Sequence, residues 1–294
     1  MSRIALIAPT GMLGSAVYDV LKDRHELILV YRDESRLELL ERTYGKSSAR
    51  GVRFDLAALR DDFLRGFTTQ SIAPSLAALV DGIGEADAVV NAAGVIKPYS
   101  LQDPGMTLFI NGAVPHLLAA VYGSRLIQIT TDCAFSGLDG APYTEDSPHS
   151  PNDLYGLSKS IGEPSGRSLV LRTSIIGPEI HGFVSLVAWV KKQDGQSAKG
   201  FTRHLWNGIT TRQFGRVVDE IVSHRGRYPD HGLFHIFSTA VTKYEMVTAI
   251  AKKYDVKVTI TPDDGPVQDR RLATVKDLNG ALRVPSFGDM LADM

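Results

Sequence analysis

Tyr155 and Lys159 stand four residues apart in the segment Tyr155-Gly156-Leu157-Ser158-Lys159. On a helix that spacing puts the phenol and the ammonium one turn apart on the same face. A cation so placed stabilises the phenolate and lowers the tyrosine pKa from about 10 toward working pH. General acid–base chemistry on a carbonyl or an alcohol needs such a shift. Taken alone, the pair is also a common arrangement on a surface helix. It is preceded by Asn91-Ala92-Ala93-Gly94, by Phe109-Ile110-Asn111-Gly112, and by Ile129-Thr130-Thr131-Asp132, whose Thr131 lies 24 residues before Tyr155. Four signals in this order, at strand ends and in helices, make chance coincidence implausible.

Near the N-terminus, Ala8-Pro9-Thr10-Gly11-Met12-Leu13-Gly14 joins a first strand to a first helix. Gly11 lets the backbone approach a cofactor pyrophosphate, and Gly14 lets helix and strand pack closely. The plain alternative is a strand-to-helix turn. NAD enzymes place an acidic residue for the ribose at the end of the second strand, roughly 20 residues past the glycines. Here that strand ends Leu29-Val30-Tyr31-Arg32-Asp33. Tyr31 takes the acidic position, and Arg32 can pair with a 2′-phosphate. This favours NADPH. NADH stays open, because Asp33 becomes a ribose ligand if the strand runs longer, and Arg32 can equally be a solvated surface residue.

The elements that must position these residues follow from the apolar pattern. Arg3–Ala8, Glu26–Tyr31, Gly51–Asp55, Ala88–Ala92, Leu126–Thr131 and Leu169–Thr173 are short, nearly continuous apolar runs, as strands buried on both faces of a parallel sheet require. Amphipathic stretches such as Gly14–Lys22, Ala73–Val80 and Met106–Tyr122 separate them. The alternation predicts an α/β fold with a doubly wound parallel sheet, a dinucleotide-binding domain over residues 1–176. From residue 177 to 294 the rhythm changes. Helices are expected over Phe183–Lys192, Gln213–Ser223 and Lys243–Tyr254, strands over Gly232–Phe237 and Val256–Ile260, and a short helix near Phe287–Ala292. A smaller mixed lobe for the substrate, over the carboxyl ends of the strands, is the expectation.

The run Thr130-Thr131-Asp132-Cys133-Ala134-Phe135-Ser136-Gly137 resembles a segment of the extended short-chain dehydrogenases, and of the dTDP-4-dehydrorhamnose reductase family in particular. So do Ser150–Lys159, Leu171-Arg172-Thr173-Ser174 and, near the C-terminus, Asp269-Arg270-Arg271-Leu272. The resemblance implies that Thr131 bonds the substrate carbonyl, that Tyr155 gives its proton to that oxygen, and that Lys159 holds the nicotinamide ribose. Asn111 would support a proton relay through Lys159; its structural alternative is to cap or kink its helix. Cofactor contacts would come from Thr10, Gly11, Met12, Leu13, Gly14, Arg32, Asp55, Leu56, Ala92, Ala93 and Gly94, together with Tyr155 and Lys159. The implied reaction is reduction of a 4-keto group on a nucleotide-diphospho-4-keto-6-deoxysugar. A nucleotide-sugar epimerase and a non-catalytic NADP-binding regulatory subunit are the alternatives.

Three departures from the family pattern matter. Ala8 replaces a glycine; if its φ is positive this costs about 1 kcal/mol, and Pro9 offers no N–H to a phosphate. Related dehydratases carry Asp-Glu after the threonine, whereas here the pair is Asp132-Cys133, so water elimination is not expected. Ala273 replaces an acidic residue. On the substrate side, Arg203 and Arg271 are candidates for the diphosphate and Trp206 for the base or sugar, with burial in the lobe's own core as the alternative for Trp206. Lys97 and Asp132 are further candidate contacts. No metal-ligand spacing surrounds His181 or His204.

The bulk numbers bound the rest. In 294 residues with a formal net charge of −1 there is no general attraction to nucleic acid or anionic lipid. Cys133 is the only cysteine, so no intrachain disulfide forms. No apolar run in the sequence approaches the roughly 18 residues of a membrane span. The apolar N-terminal run leads into a turn and reads as a buried strand, not a signal peptide. A cytoplasmic protein is expected, and a homodimer is compatible with it.

Overall fold

The computed structural model describes residues 1–65 and 73–294. Strands β1 (Arg3–Ile7), β2 (Glu26–Tyr31), β3 (Arg50–Arg53), β4 (Ala88–Asn91), β5 (Leu126–Thr131) and β6 (Leu169–Thr173) form one sheet with Gly232–His235. Its order is Gly232–His235, β6, β5, β4, β1, β2, β3, and every pairing is parallel. The apolar runs are continuous because both faces are covered. In β1, Ile4 and Leu6 enter one core while Ala5 and Ile7 enter the other. This is a doubly wound, Rossmann-like α/β fold. The order reverses between β1 and β4, and at such a switch point, beyond the strands' carboxyl ends, ligands of doubly wound sheets bind.

The expected division at residue 177 is not clean. Gly232–His235, expected in the lobe, is the edge strand beside β6, with Phe234 paired to Leu171. The helix Thr211–Ser223 buries Phe214, Val217, Val218 and Ile221 in the same core as α1 (Met12–Leu21). An amphipathic pattern announces an apolar face but not the surface it will meet. The remaining lobe has its own core of Val187, Val190, Met246, Ile250 and Phe287 around Trp206. It also carries a small sheet in which His204–Trp206 lies between Val241–Thr242 and Gln268–Asp269. The second strand expected in the lobe lies at Thr259–Asp263, beside Ser197–Phe201.

The expected helix Met106–Tyr122 is part of a longer helical stretch. Pro104–Arg125 spans 22 residues with a mean hydropathy of 1.3, long and apolar enough by those measures to cross a bilayer, contrary to expectation. Its apolar face goes elsewhere: Phe109, Val114, Leu118, Ala119 and Tyr122 pack in the core beneath Val89 and Leu126.

Candidate active site

The candidate catalytic helix, Leu154–Ile161, starts where Asp153 accepts a hydrogen bond from the Gly156 N–H at 2.7 Å. Lys97, exposed at the crevice, pairs with the other carboxylate oxygen of Asp153 at 2.7 Å. Lys97 thus braces the helix cap. Tyr155 lies in the first turn and Lys159 in the last. The Lys159 Nζ donates to the Ala93 carbonyl at 3.4 Å, and burial lowers its pKa to about 8, so it remains largely an ammonium at neutral pH. Ala93 and Gly94 extend β4, so this contact joins the catalytic helix to the switch point. A Cβ at 94 would lie 2.8 Å from Lys159 Nζ and 3.3 Å from Asn111 Oδ1, so any side chain there must displace the end of Lys159.

Asn111 reaches this corner because its helix is not regular. Phe109–Ala113 is a π-helical turn between Pro104–Leu108 and Val114–Tyr122, an irregularity common at functional sites. The Asn111 Oδ1 accepts from the Val95 N–H at 2.8 Å; its Nδ2 donates to the Val95 carbonyl at 2.9 Å and to Ser158 Oγ at 3.0 Å. Both amide protons are therefore committed, and the geometry makes Asn111 a brace beside Lys159.

Thr131 closes β5. Its hydroxyl donates to Asp132 Oδ1 at 3.1 Å and accepts from the Cys133 N–H at 3.2 Å. Asp132 is buried, which raises its pKa above the usual carboxylate range against the pull of Arg270. The Cys133 thiol, pushed by burial up to about 12, lies 3.4 Å from Arg270 Nη1. The expected lowering of the tyrosine pKa is not found. Burial pushes the Tyr155 phenol above its ordinary value; Cys133 and Asp132 add to this and Thr131 opposes it. Desolvation is the dominant cause, and the phenol stays protonated through neutral pH.

At the nucleotide turn, Ala8 has φ +60°, the left-handed conformation that penalises a side chain. Gly14 is obligatory, since a Cβ would lie 2.1 Å from the Ala8 carbonyl oxygen. Gly11 has an ordinary φ of −75°, and a Cβ there would meet nothing nearer than 3.7 Å. As the N-cap of α1 it gives no side-chain bond to the helix's first-turn N–H groups, among Met12, Leu13 and Gly14. Such a helix start suits an anion.

Arg32 is 65% exposed, with Asp55 3.9 Å away. Asp33, the competing ribose ligand, instead caps helix Glu34–Tyr44 through the Ser35 and Arg36 N–H groups. Asp55 lies just beyond β3 and accepts from the Ala57 N–H at 3.0 Å, with Leu56 beside it.

The substrate candidates divide. Trp206 is buried in the lobe's core, the alternative expected for it, edge-on to Phe287 at 5.9 Å. The Arg271 guanidinium is taken up by Asp269, at 2.7 Å from Nη2 and 3.0 Å from Nε. Arg203 is exposed on the turn before His204–Trp206. Arg270, next to Arg271 in sequence, is the arginine that enters the site, bonding the Phe135 carbonyl at 3.0 Å and Asn152 Oδ1 at 3.1 Å. Adjacent residues beyond a strand point to opposite sides, so only one of Arg270 and Arg271 could reach Cys133. Lys243 and His204 were also not anticipated. Burial lowers both; Asp132 opposes this at Lys243, while Lys243 and Arg270 press His204 further down, to about 4.

The chain matches the family model described as "RmlD substrate binding domain" over residues 2–273. It is 27% identical over 146 residues to the spore coat polysaccharide biosynthesis protein SpsK of Bacillus subtilis (strain 168), covering 47% of this chain and 49% of that protein. It is 32% identical over 92 residues to a dTDP-4-dehydrorhamnose reductase of Streptomyces griseus, covering 30% and 28%. The chain thus aligns with half or less of the length of these two relatives. Among solved structures, the dTDP-4-dehydrorhamnose reductase of Bacillus anthracis str. Ames in complex with NADP superposes with a TM-score of 0.69, at 16% identity, over 99% of this chain and 98% of that one. By the extent of the family match, this chain belongs to the RmlD substrate binding domain family.

Proposed function

We propose that this protein reduces the 4-keto group of a nucleotide-diphospho-4-keto-6-deoxysugar with NADPH. The observation that carries the reading is the convergence of Thr131, Tyr155 and Lys159 beside the switch-point crevice, at whose edge the first turn of α1 is left uncapped. The Gly11 turn fits a cofactor pyrophosphate, held by backbone N–H groups of residues 10–14. Ala92, Ala93 and Gly94 line the next strand end, and Asp55 and Leu56 would take the adenine. Arg32, whose one ion pair among the described residues is with Asp55 at 3.9 Å, would meet a 2′-phosphate. The bound nicotinamide supplies a hydride.

The chain's own residues do the rest. Thr131 orients the carbonyl oxygen, and Tyr155, kept protonated by burial, donates its phenolic proton to it. Lys159 holds its proton at Nζ, positioned by Ala93 and by the Asn111–Ser158 brace, and would bind the nicotinamide ribose. Asp132 and Arg270 flank the sugar, and Lys97 and Arg203 stand further out. The bond to Asp269 counts against Arg271 in the diphosphate role. The names of the relatives, a dTDP-4-dehydrorhamnose reductase among them, agree with this substrate class. A cytoplasmic location and a homodimer go with the reading. Leu157 and Ile161, both about half exposed on the catalytic helix, support self-association, which sedimentation would test.

The test is Tyr155→Phe, which deletes the proton donor and keeps the ring. Turnover should fall at least about 10²-fold with NADPH binding intact. Turnover within about threefold of the parent would reject Tyr155 as the acid.

A further inference from the structure

Arg172 on β6 is the largest side chain with no exposed surface, and nothing in the proposed chemistry uses it. A buried guanidinium must be paired and fully hydrogen-bonded. Glu163, two residues past the catalytic helix, receives it in bidentate fashion at 2.6 Å from Nη2 and 3.1 Å from Nε. Two imidazoles complete the set: His235 Nε2 lies 2.9 Å from Nη1, and His149 Nε2 lies 2.6 Å from Nη2. The guanidinium also sits 5.0 Å from the centre of the Phe135 ring.

Arginine can only donate. Both imidazoles therefore present a lone pair at Nε2 and are neutral, with the proton on Nδ1. His235 donates that proton to the Ala273 carbonyl at 2.7 Å, and His149 directs it to Ser160 Oγ. Ser160 adjoins Lys159. The cluster thus grips the catalytic helix twice, through His149 at its last turn and through Glu163 just beyond it.

The two histidines differ in access. His235 has no exposed surface, whereas the His149 side chain is 34% exposed. We propose that Arg172, Glu163 and His149 are positioning residues that clamp the last turn of the catalytic helix, and that protonation of His149 releases it. A protonated His149 would set an N–H donor and a positive charge against Arg172 Nη2. It would also compete for Glu163, whose Oε2 lies 3.5 Å from its Nε2. The groups facing His149 are Arg172 from β6, Glu163 and Ser160 from the helix and its exit, and the Phe135 ring edge at 6.0 Å. Glu145 stands behind His235, accepting from its backbone N–H at 2.9 Å. Burial, ahead of the opposing Glu163 and the assisting Arg172, holds the His149 pKa below its ordinary value. Release therefore belongs on the acid side of neutrality.

For catalysis the inference rests on the proposed reductase activity, but the clamp can be tested without substrate. In the full-length protein, NMR would follow the His149 imidazole and the Lys159–Gly162 amides between pH 7.5 and 4.5. The amides should move with the His149 midpoint, and His149→Gln should abolish that movement while leaving NADPH affinity within about threefold. Ser160→Ala, which removes one hydroxyl, should shift the midpoint if His149→Gln folds poorly. Amides that ignore the His149 titration would overturn the clamp. With a reducible ketosugar, the acid limb of kcat should drop by about one pH unit in His149→Gln. An unmoved limb alongside coupled amides would confine the clamp to structure and overturn its role in turnover. Absence of turnover at every pH would count against the reductase reading alone.

Discussion

Gly94→Ala tests the corner where β4, the π-helical turn and the catalytic helix meet. The new methyl would sit 2.8 Å from Lys159 Nζ, 3.2 Å from Cε and 3.3 Å from Asn111 Oδ1. Asn111 cannot give way, because Val95 and Ser158 hold its amide from three directions. Lys159 is the flexible partner, and reaching ordinary contact moves Nζ by about half an ångström or more. That is enough to break its 3.4 Å bond to the Ala93 carbonyl. Stability should fall by only about 1–2 kcal/mol, the usual cost of a small overpacking. Misplacement on the order of 1 Å at a catalytic group can cost about 10²-fold, so kcat should drop between about 10- and 100-fold. The assay is steady-state NADPH oxidation with a 4-keto-6-deoxysugar nucleotide, run beside a urea unfolding curve. In a Lys159→Met background the same glycine change should have little further effect. A kcat within threefold of the parent in the Gly94→Ala protein would refute the placement of Lys159.

Three other predictions follow from the same geometry. NADPH should bind more tightly than NADH, and Arg32→Ala should erase most of the difference, since a charge-assisted phosphate contact is worth about 1.5–3 kcal/mol; equal affinities in the parent, by nicotinamide fluorescence, would move the selector elsewhere. Ala8→Gly should relieve the positive φ and tighten NADPH binding, while the gain in stability stays below about 1 kcal/mol because glycine also loosens the unfolded chain; a weaker cofactor affinity would contradict the strain argument. His235, lowered by burial to about 4 from 6.5, favours proton uptake by the unfolded chain. Its contribution to stability is complete above about pH 6.5 and is lost as pH falls toward 4, on the order of 1–3 kcal/mol. Urea unfolding at pH 7 and 4.5 measures this, and a His235→Gln variant with an unchanged slope would refute it.

Residue type and spacing revealed whatever depends on one segment at a time. β5 runs from Leu126 to Thr131 as its apolar pattern predicts, because burial on both faces leaves no other pattern for such a strand. Thr131, Tyr155 and Lys159 were legible for the same reason: each sits at a fixed offset within its own strand or helix. Features that need a partner from elsewhere were not legible. The turn at Asn111 looks like ordinary helix until Val95 and Ser158 engage its amide. Trp206 has the chemistry of a substrate contact, but its burial depends on Phe287, over eighty residues away. The clamp on Arg172 gathers residues from four separate stretches of chain, and only the folded sheet brings them together. Tyr155 illustrates how burial settles such questions: desolvation raises its phenol, and the neighbours Cys133 and Asp132 raise it further.

The central claim meets its most direct test when purified protein is given NADPH and a dTDP-linked 4-keto-6-deoxysugar, with reduced nicotinamide followed by absorbance and the nucleotide sugars by chromatography. The account predicts one NADPH oxidised per sugar converted to a 4-hydroxy product, with the rate lost in Tyr155→Phe. Interconversion of two 4-hydroxy sugars without net NADPH loss, or no turnover of dTDP- and UDP-linked ketosugars despite tight cofactor binding, would contradict it.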